Sequence, residues 1–172
     1  MIQNTVYFKS RPSQIINLET FLLTILAVPV ILLMDGILKQ QQLPVHFFPA
    51  KLIVHIYRFP HYLGVFVLLN LAYQVLRVYC IRYEIHAEEL RYYSGIFRRK
   101  HEFIENYRIK DYRVERPLIY RLFGLGNLII YTSDKTTPVF RLDAIRNPEE
   151  KYKILRGLVE LNRREKHVFE VD

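Results

Sequence analysis

Between Arg58 and Arg77 the chain carries 18 residues, FPHYLGVFVLLNLAYQVL, without a single Lys, Arg, Asp or Glu. As a helix this run extends about 27 Å at ~1.5 Å per residue, close to the hydrocarbon thickness of a bilayer. Directly after Arg77 the apolar period changes. Ile81, Tyr83 and Ile85 alternate with Arg82, Glu84 and His86, the spacing of a half-buried strand. The sequence therefore predicts a membrane helix that feeds a β domain with almost no linker.

The charge distribution supports that division. Of 25 Lys and Arg and 17 Asp and Glu, residues 1–79 hold only six basic and two acidic; 80–172 hold the other 19 and 15. The second part has an ordinary soluble composition and is long enough for one modest core. The single Cys80 excludes an intramolecular disulfide and suits a reducing compartment.

A second apolar run precedes the first. Leu18 to Leu38 reads LETFLLTILAVPVILLMDGIL, with a charge-free centre of 15 residues from Thr20 to Met34. Extending it to Leu38 reaches spanning length and places Asp35 near one end, where a carboxylate reaches headgroups or water at moderate cost. Pro29 is better tolerated in a membrane helix than in a soluble one. Residues 1–17 lack the short apolar core and small-residue cleavage site of a signal peptide and read as a cytoplasmic lead. The connection from Lys39 to Arg58 contains Pro44 and Pro49. Part of it lies in the interface plane, or the second helix starts near Leu52 and bends at Pro60. Lys9, Arg11, Arg77, Arg82 and Arg91 flank the outer ends of the runs, against Lys39, Lys51 and Arg58 in the connection. Five against three favours both termini inside the cell. Asn70 and Gln74, four apart, share one face of the second span. Interhelical hydrogen bonds there, to the first helix or to another copy, are worth about 0.6–2 kcal/mol per contact. Together with Asp35 they form a candidate helix interface.

From Cys80 the chain reads as short strands. Ile81–His86 turns at Ala87-Glu88-Glu89 into Leu90–Tyr93. A Ser94-Gly95 turn leads into Ile96–Ile104, and Tyr107–Glu115 alternates with a one-residue slip that suits a bulge. Pro117 to Phe123 reads as a short helical turn closed by Gly124. Asn127–Thr132 and Pro138–Leu142 read as a hairpin around Ser133-Asp134-Lys135. Asn147 as N-cap, Pro148 at the first helical position and Glu150 behind them begin a helix running to about Glu165. Its apolar face is Ile154, Leu155, Leu158, Val159 and Leu161. Arg163, Arg164 and Lys166 suit the negative end of its dipole. The expectation is a curved sheet of five or six strands plugged at its open end by this helix.

Two features resemble one family. Ser10-Arg11-Pro12-Ser13 stands ahead of the two apolar runs, and Arg121-Leu122-Phe123-Gly124-Leu125-Gly126-Asn127-Leu128 stands inside the strand series. Both are similar to the bacterial pleckstrin-homology-like (PH) membrane proteins. The resemblance implies an α+β chain: a cytoplasmic lead (1–17), a transmembrane hairpin (18–79, with spans of about 18–38 and 59–78), a PH-like β-barrel or sandwich capped by a C-terminal helix (80–166), and a tail (167–172). It also implies a membrane-side scaffold or oligomerising module, not an enzyme.

Catalytic and cofactor signatures are missing from the sequence. The six histidines form no H-E-x-x-H and no Cys/His pair at ligand spacing. Gly124-Leu-Gly126 lacks the third glycine of a dinucleotide loop and precedes a strand instead of following one. Neither G-x-S-x-G nor a P-loop occurs. No cofactor and no metal are expected. The remaining cluster is Arg98-Arg99-Lys100-His101. Beside a bilayer such residues gain about 1 kcal/mol each from anionic headgroups, whereas Glu102, Glu105, Asp111 and Glu115 make a solvated face of mixed charge the alternative. Eukaryotic lipid-binding PH domains keep their basic residues around the first hairpin, which here reads as the acidic Ala87-Glu88-Glu89 turn. Nucleic-acid binding has little support, since the basic excess over 80–172 is only four (19 − 15) without a recognisable module.

The expected function is that of a non-enzymatic inner-membrane protein, with the bilayer and either a protein partner or another copy of itself as its contacts. A sensor of anionic lipid through Arg98–His101 and an accessory subunit of a larger membrane complex are the alternatives.

Overall fold

The structure, a computed structural model, describes residues 6–40 and 50–166. The expectations for the tail and for most of the connection, including Pro44, Phe47-Phe48 and Pro49, fall outside the described residues. Two compact units emerge. One is Asn17–Leu76; the other joins the described residues up to Ile16 with those from Arg77 onward.

The first unit is a pair of long helices, α1 (Leu18–Gln40) and most of α2 (Ala50–Tyr79). α2 is continuous from Ala50, so residues from Ala50 onward belong to the second helix, with Pro60 inside it. Along α1 the less exposed positions are Thr20, Phe21, Thr24, Ala27, Ile31, Met34, Asp35 and Leu38; along α2 they are Ile53, Ile56, Tyr57, Pro60, Leu63, Gly64, Val67, Leu71, Gln74 and Val75. Their spacing of three and four marks one face per helix turned toward the other. Ile31, 8% exposed, faces Gly64, where a Cβ would meet Ile31 Cγ2 in ordinary contact at 3.9 Å. The remaining faces are apolar and outward: Leu26 is 67% exposed, Leu33 66%, Phe66 65% and Leu69 65%. Both helices are long and apolar enough to cross a membrane.

The second unit is a two-layer sandwich. Its four-stranded antiparallel sheet has the order β1 (Val6–Ser10), β2 (Arg82–His86), β3 (Glu89–Ser94), β4 (Lys100–Glu105). Its three-stranded sheet has the order β5 (Ile109–Glu115), β6 (Leu125–Thr132), β7 (Val139–Arg146). The five-residue α3 (Leu118–Leu122) precedes β6, and α4 (Pro148–Glu165) follows β7. The sheets do not close into a barrel, so of the two expected forms the sandwich is the one adopted. Ile85, Leu90, Ile104, Ile109, Leu128, Ile130, Leu142 and Ile145 from the strands pack with Leu155, Leu158 and Val159 of α4 in one core. Burying each such side chain is worth about 1.5–3 kcal/mol.

Several details differ from the sequence reading. The lead contains a strand: β1 pairs with β2, with Ser10 opposite Tyr83 and Lys9 opposite Glu84. The first hairpin of the sandwich is therefore β1–β2, and its connection is the pair of long helices. The acidic Ala87-Glu88-Glu89 turn closes the second hairpin. Six strands follow Cys80, within the five or six expected there, and β1 adds a seventh among the described residues. Ile96–Arg99 is not strand; β4 starts only at Lys100, after a loop that begins at Gly95. Asn147 does precede α4, but in the left-handed conformation (φ 49°), and its side-chain amide donates to the Glu150 carboxylate (3.4 Å) in place of capping the backbone. Leu161 is 56% exposed, because it lies at the margin of the stripe formed by Leu155, Leu158, Val159 and Asn162. The slip near Ile109 is real: the β5–β6 register shifts between Ile109 and Asp111.

Candidate functional site

The sheet register decides what lies at each end of the four-stranded sheet. Ser10 stands opposite Tyr83, Arg82 opposite Tyr93, and Ser94 opposite Lys100. One sheet end therefore gathers the chain leaving β1, the chain arriving from α2 and the β3–β4 loop. The opposite end carries the Ala87 turn.

Hollows flank the first end, one of about 440 Å³ lined by Lys9, Ser10, Arg11, Arg82, Tyr83 and Glu84, and two more that reach the neighbouring chain segments. One, of about 390 Å³, is lined by Tyr79 and Cys80 at the end of α2, by Arg82, Glu84, Tyr93, Ser94 and Gly95, and by Arg99 and His101. The other, of about 300 Å³, is lined by Arg11, Ser13 and Ile15 and by Phe123, Leu125, Ala144 and Arg146. The chain leaving β1 is tied down between them. Arg11 lies over the Tyr79 ring (5.3 Å), and the Ser13 amide donates to Ala144 O (3.0 Å).

The four residues of the basic cluster divide between these surroundings. Arg99 and His101 face the hollow beside Tyr79, where the His101 ring meets Tyr93 edge-on (4.8 Å). Lys100, next along the strand and so on the other face, is ion-paired with Glu102, whose hydrogen bond holds the ammonium above its ordinary range. Arg98 sits in the loop, exposed. The loop itself depends on Gly95, at φ +102°, where a Cβ would lie 1.9 Å from Arg98 O. Its apex displays Phe97, 93% exposed.

In the helical unit the three candidate interface residues part company. Asp35 pairs with Lys39 one turn on (2.6 Å) and lies 3.6 Å from His61 Nδ1 on α2. With Ile31, Leu32, Pro60, Gly64 and Val65 these two line a hollow of about 250 Å³. The Gln74 backbone carbonyl accepts from Asn17 Nδ2, in the turn ahead of α1 (3.1 Å). Asn70 is exposed, one face away from α1.

The Arg121–Leu128 signature works as a joint. Gly124 takes φ +65°, and its carbonyl accepts from the Asn147 amide (3.3 Å). Gly126 is wedged so closely that a Cβ would lie 2.8 Å from the Pro148 ring and 2.9 Å from Arg116 Cγ. Asn127, 7% exposed, accepts from the Ala144 amide through Oδ1 (2.8 Å), and Ala144 is itself at φ 46°. Arg116 reaches Glu149 (2.8 Å). The motif thus locks β6, β7 and the start of α4 together. It is structural, and it leaves Leu118, Ile119 and Leu122 of α3 and Phe123 just after it facing outward, 77%, 47%, 83% and 56% exposed.

Sequence reasoning missed a polar node at the other end of the sandwich. Asn106, wholly buried, donates to His86 O (3.0 Å) and Ala87 O (2.9 Å). Asn162 of α4 donates to the same Ala87 O. Buried carbonyls need such partners, but an Asn after a strand carries no period that announces the role.

Four strands, three strands and a C-terminal helix, without a metal-ligating cluster among the described residues, define a PH-type sandwich whose first hairpin is opened by two long helices. A family model described as bacterial PH domain matches residues 15–159, and the chain belongs to that family. No curated protein and no solved structure matches it. The matched segment begins after β1, so the strand that completes the first sheet lies ahead of it.

Proposed function

We propose that the chain is an integral protein of the inner membrane, with both long helices crossing the bilayer and both termini in the cytoplasm. Its PH domain is a non-catalytic interaction module held at the membrane surface. The observation that carries this reading is the outward face of the helical unit: Leu26, Leu32, Leu33, Phe66 and Leu69 are each about two-thirds exposed, an arrangement that water penalises and lipid does not. The Asp35–His61 contact falls at the connection end of the pair, where its polarity costs least.

The partner surface is α3. Leu118, Ile119 and Leu122 on it and Phe123 just after it stand outward, and the protein that covers them is a second copy of this chain or a neighbouring membrane protein. Crosslinking and co-purification of the full chain in mild detergent test the reading. An assembly that Leu118→Glu with Leu122→Glu dissolves, while the chain stays in the membrane fraction, is the expected result. A lone monomer before any substitution contradicts it.

A further inference from the structure

Phe97 is the most exposed of the large apolar side chains of the described residues, at 93%, above every outward residue of the two long helices. It is followed by Arg98, Arg99 and Lys100, all exposed, and no acid occurs from Gly95 to Lys100. The loop is built to hold this display: Gly95 allows a turn that any Cβ would block against Arg98 O, and Ser94–Lys100 pairing closes its base. It also has a place. Gly95 and Arg99 share a hollow with Tyr79 and Cys80, the last residue of α2 and the one after it.

We infer that the Gly95–Lys100 loop is a lipid-contacting element: Phe97 enters the interfacial layer of the bilayer, and Arg98 and Arg99 engage the phosphates of anionic lipids around it. This rests on the reading that α2 crosses the membrane, for then Tyr79 stands at the interface and the loop beside it stands there too. An aromatic ring is at home in that layer, and guanidinium groups match phosphate oxygens bidentately. The charge of the loop favours lipid over a protein partner, and it favours the anionic cytoplasmic leaflet in particular. The loop would fix the domain's orientation against the membrane at a second point besides the helix ends.

The chain contains no Trp, so one introduced residue reports alone. The full chain is reconstituted in vesicles with lipids brominated either near the headgroup end or near the methyl end of their acyl chains, as Phe97→Trp, as Phe66→Trp in the middle of α2, and as Leu161→Trp, beside Asn162 at the Ala87 end of the sandwich. Blue-shifted emission quenched by brominated lipid is expected for Phe97→Trp and no quenching for Leu161→Trp. Quenching of Phe66→Trp without quenching of Phe97→Trp overturns the inference and leaves the membrane-spanning reading intact. An unquenched Phe66→Trp overturns that reading itself. Quenching of Phe97→Trp is expected to be stronger with phosphatidylglycerol than with phosphatidylcholine alone, and the difference to vanish with Arg98→Gln and Arg99→Gln. Equal quenching in both vesicles before those changes overturns the assignment of the two arginines to lipid phosphate.

Discussion

Ser10 lies directly across the sheet from Tyr83, although both long helices separate the two residues in the chain. The strand order β1-β2-β3-β4 makes β1 an edge whose removal bares the whole of β2, and Phe8 of β1 packs against the core cluster with the Lys151 ammonium of α4 over its ring (5.8 Å). The helical pair is thus inserted in a hairpin whose two strands hold each other.

A chain in which a short Gly/Ser linker replaces the segment between Ser13 and Arg77 should keep the sandwich. Deleting residues up to Ser10 from that same chain should leave an unpaired apolar edge, which favours aggregation. Thermal unfolding followed by circular dichroism should show a cooperative transition in the first and its loss, with dye binding to exposed apolar surface, in the second. Equal melts would mean that β1 is dispensable.

Within the signature the two glycines should respond differently. Gly126→Ala meets the Pro148 ring, Arg116 Cγ and Glu115 O at once, and crowding of that kind costs about 1–3 kcal/mol. Gly124 has open space where a Cβ would go, and only its φ of +65° opposes a side chain. Gly124→Asn, which tolerates the left-handed region, should cost well under half as much as Gly126→Ala. Urea melts of the hairpin-replaced chain read both.

Asn106→Leu should destabilise by about 1–3 kcal/mol, the cost of taking a donor from a buried carbonyl. His86 O loses the Asn106 amide, whereas Ala87 O keeps the amide of Asn162. Removing both amides leaves Ala87 O with neither. The double substitution Asn106→Leu with Asn162→Leu should therefore cost more than the sum of the singles, a coupling that a double-mutant cycle resolves.

Much of this fold is legible in the sequence where the period is local. Ile81, Tyr83 and Ile85 mark β2, the slip near Ile109 marks a bulge, and Pro148 after Asn147 marks α4. What escapes is non-local or ambiguous. The short β1 segment, VYFKS, finds its partner only beyond both helices, so nothing nearby identifies it as a strand. Ile96 and Phe97 look like a continuation of β4 because they are apolar, whereas the backbone at Gly95 turns them out. Leu161 satisfies the helical spacing but lies at the edge of the buried stripe. Of the candidate site residues, the sequence groups Arg98 to His101 as one patch. Strand alternation and the loop split them, with only Arg99 and His101 facing the same hollow.

Stability should fall in alkali through two tyrosines. Burial pushes the phenols of Tyr83 and Tyr112 well above their ordinary value of 10.0; the Tyr112 hydroxyl has no hydrogen-bond partner among the described residues. Because the folded state holds these protons more tightly, their stabilising contribution is complete below about pH 10 and is lost as pH rises above it. Titration of the chain in which a linker replaces the helical pair, followed by tyrosinate absorbance, should show Tyr83 and Tyr112 ionising late together with unfolding, with Tyr120 also held up by burial. Replacing Tyr83 by Phe should remove one late phase.

The most direct measurement is the partition of the chain after an alkaline wash of membranes, comparing the intact protein with the version in which a linker replaces the helical pair. The expected result is that the intact chain stays with the lipid pellet and needs detergent to leave it, while the shortened chain is in the supernatant. Recovery of the intact chain in the supernatant would contradict a lipid-embedded helical pair carrying a PH sandwich.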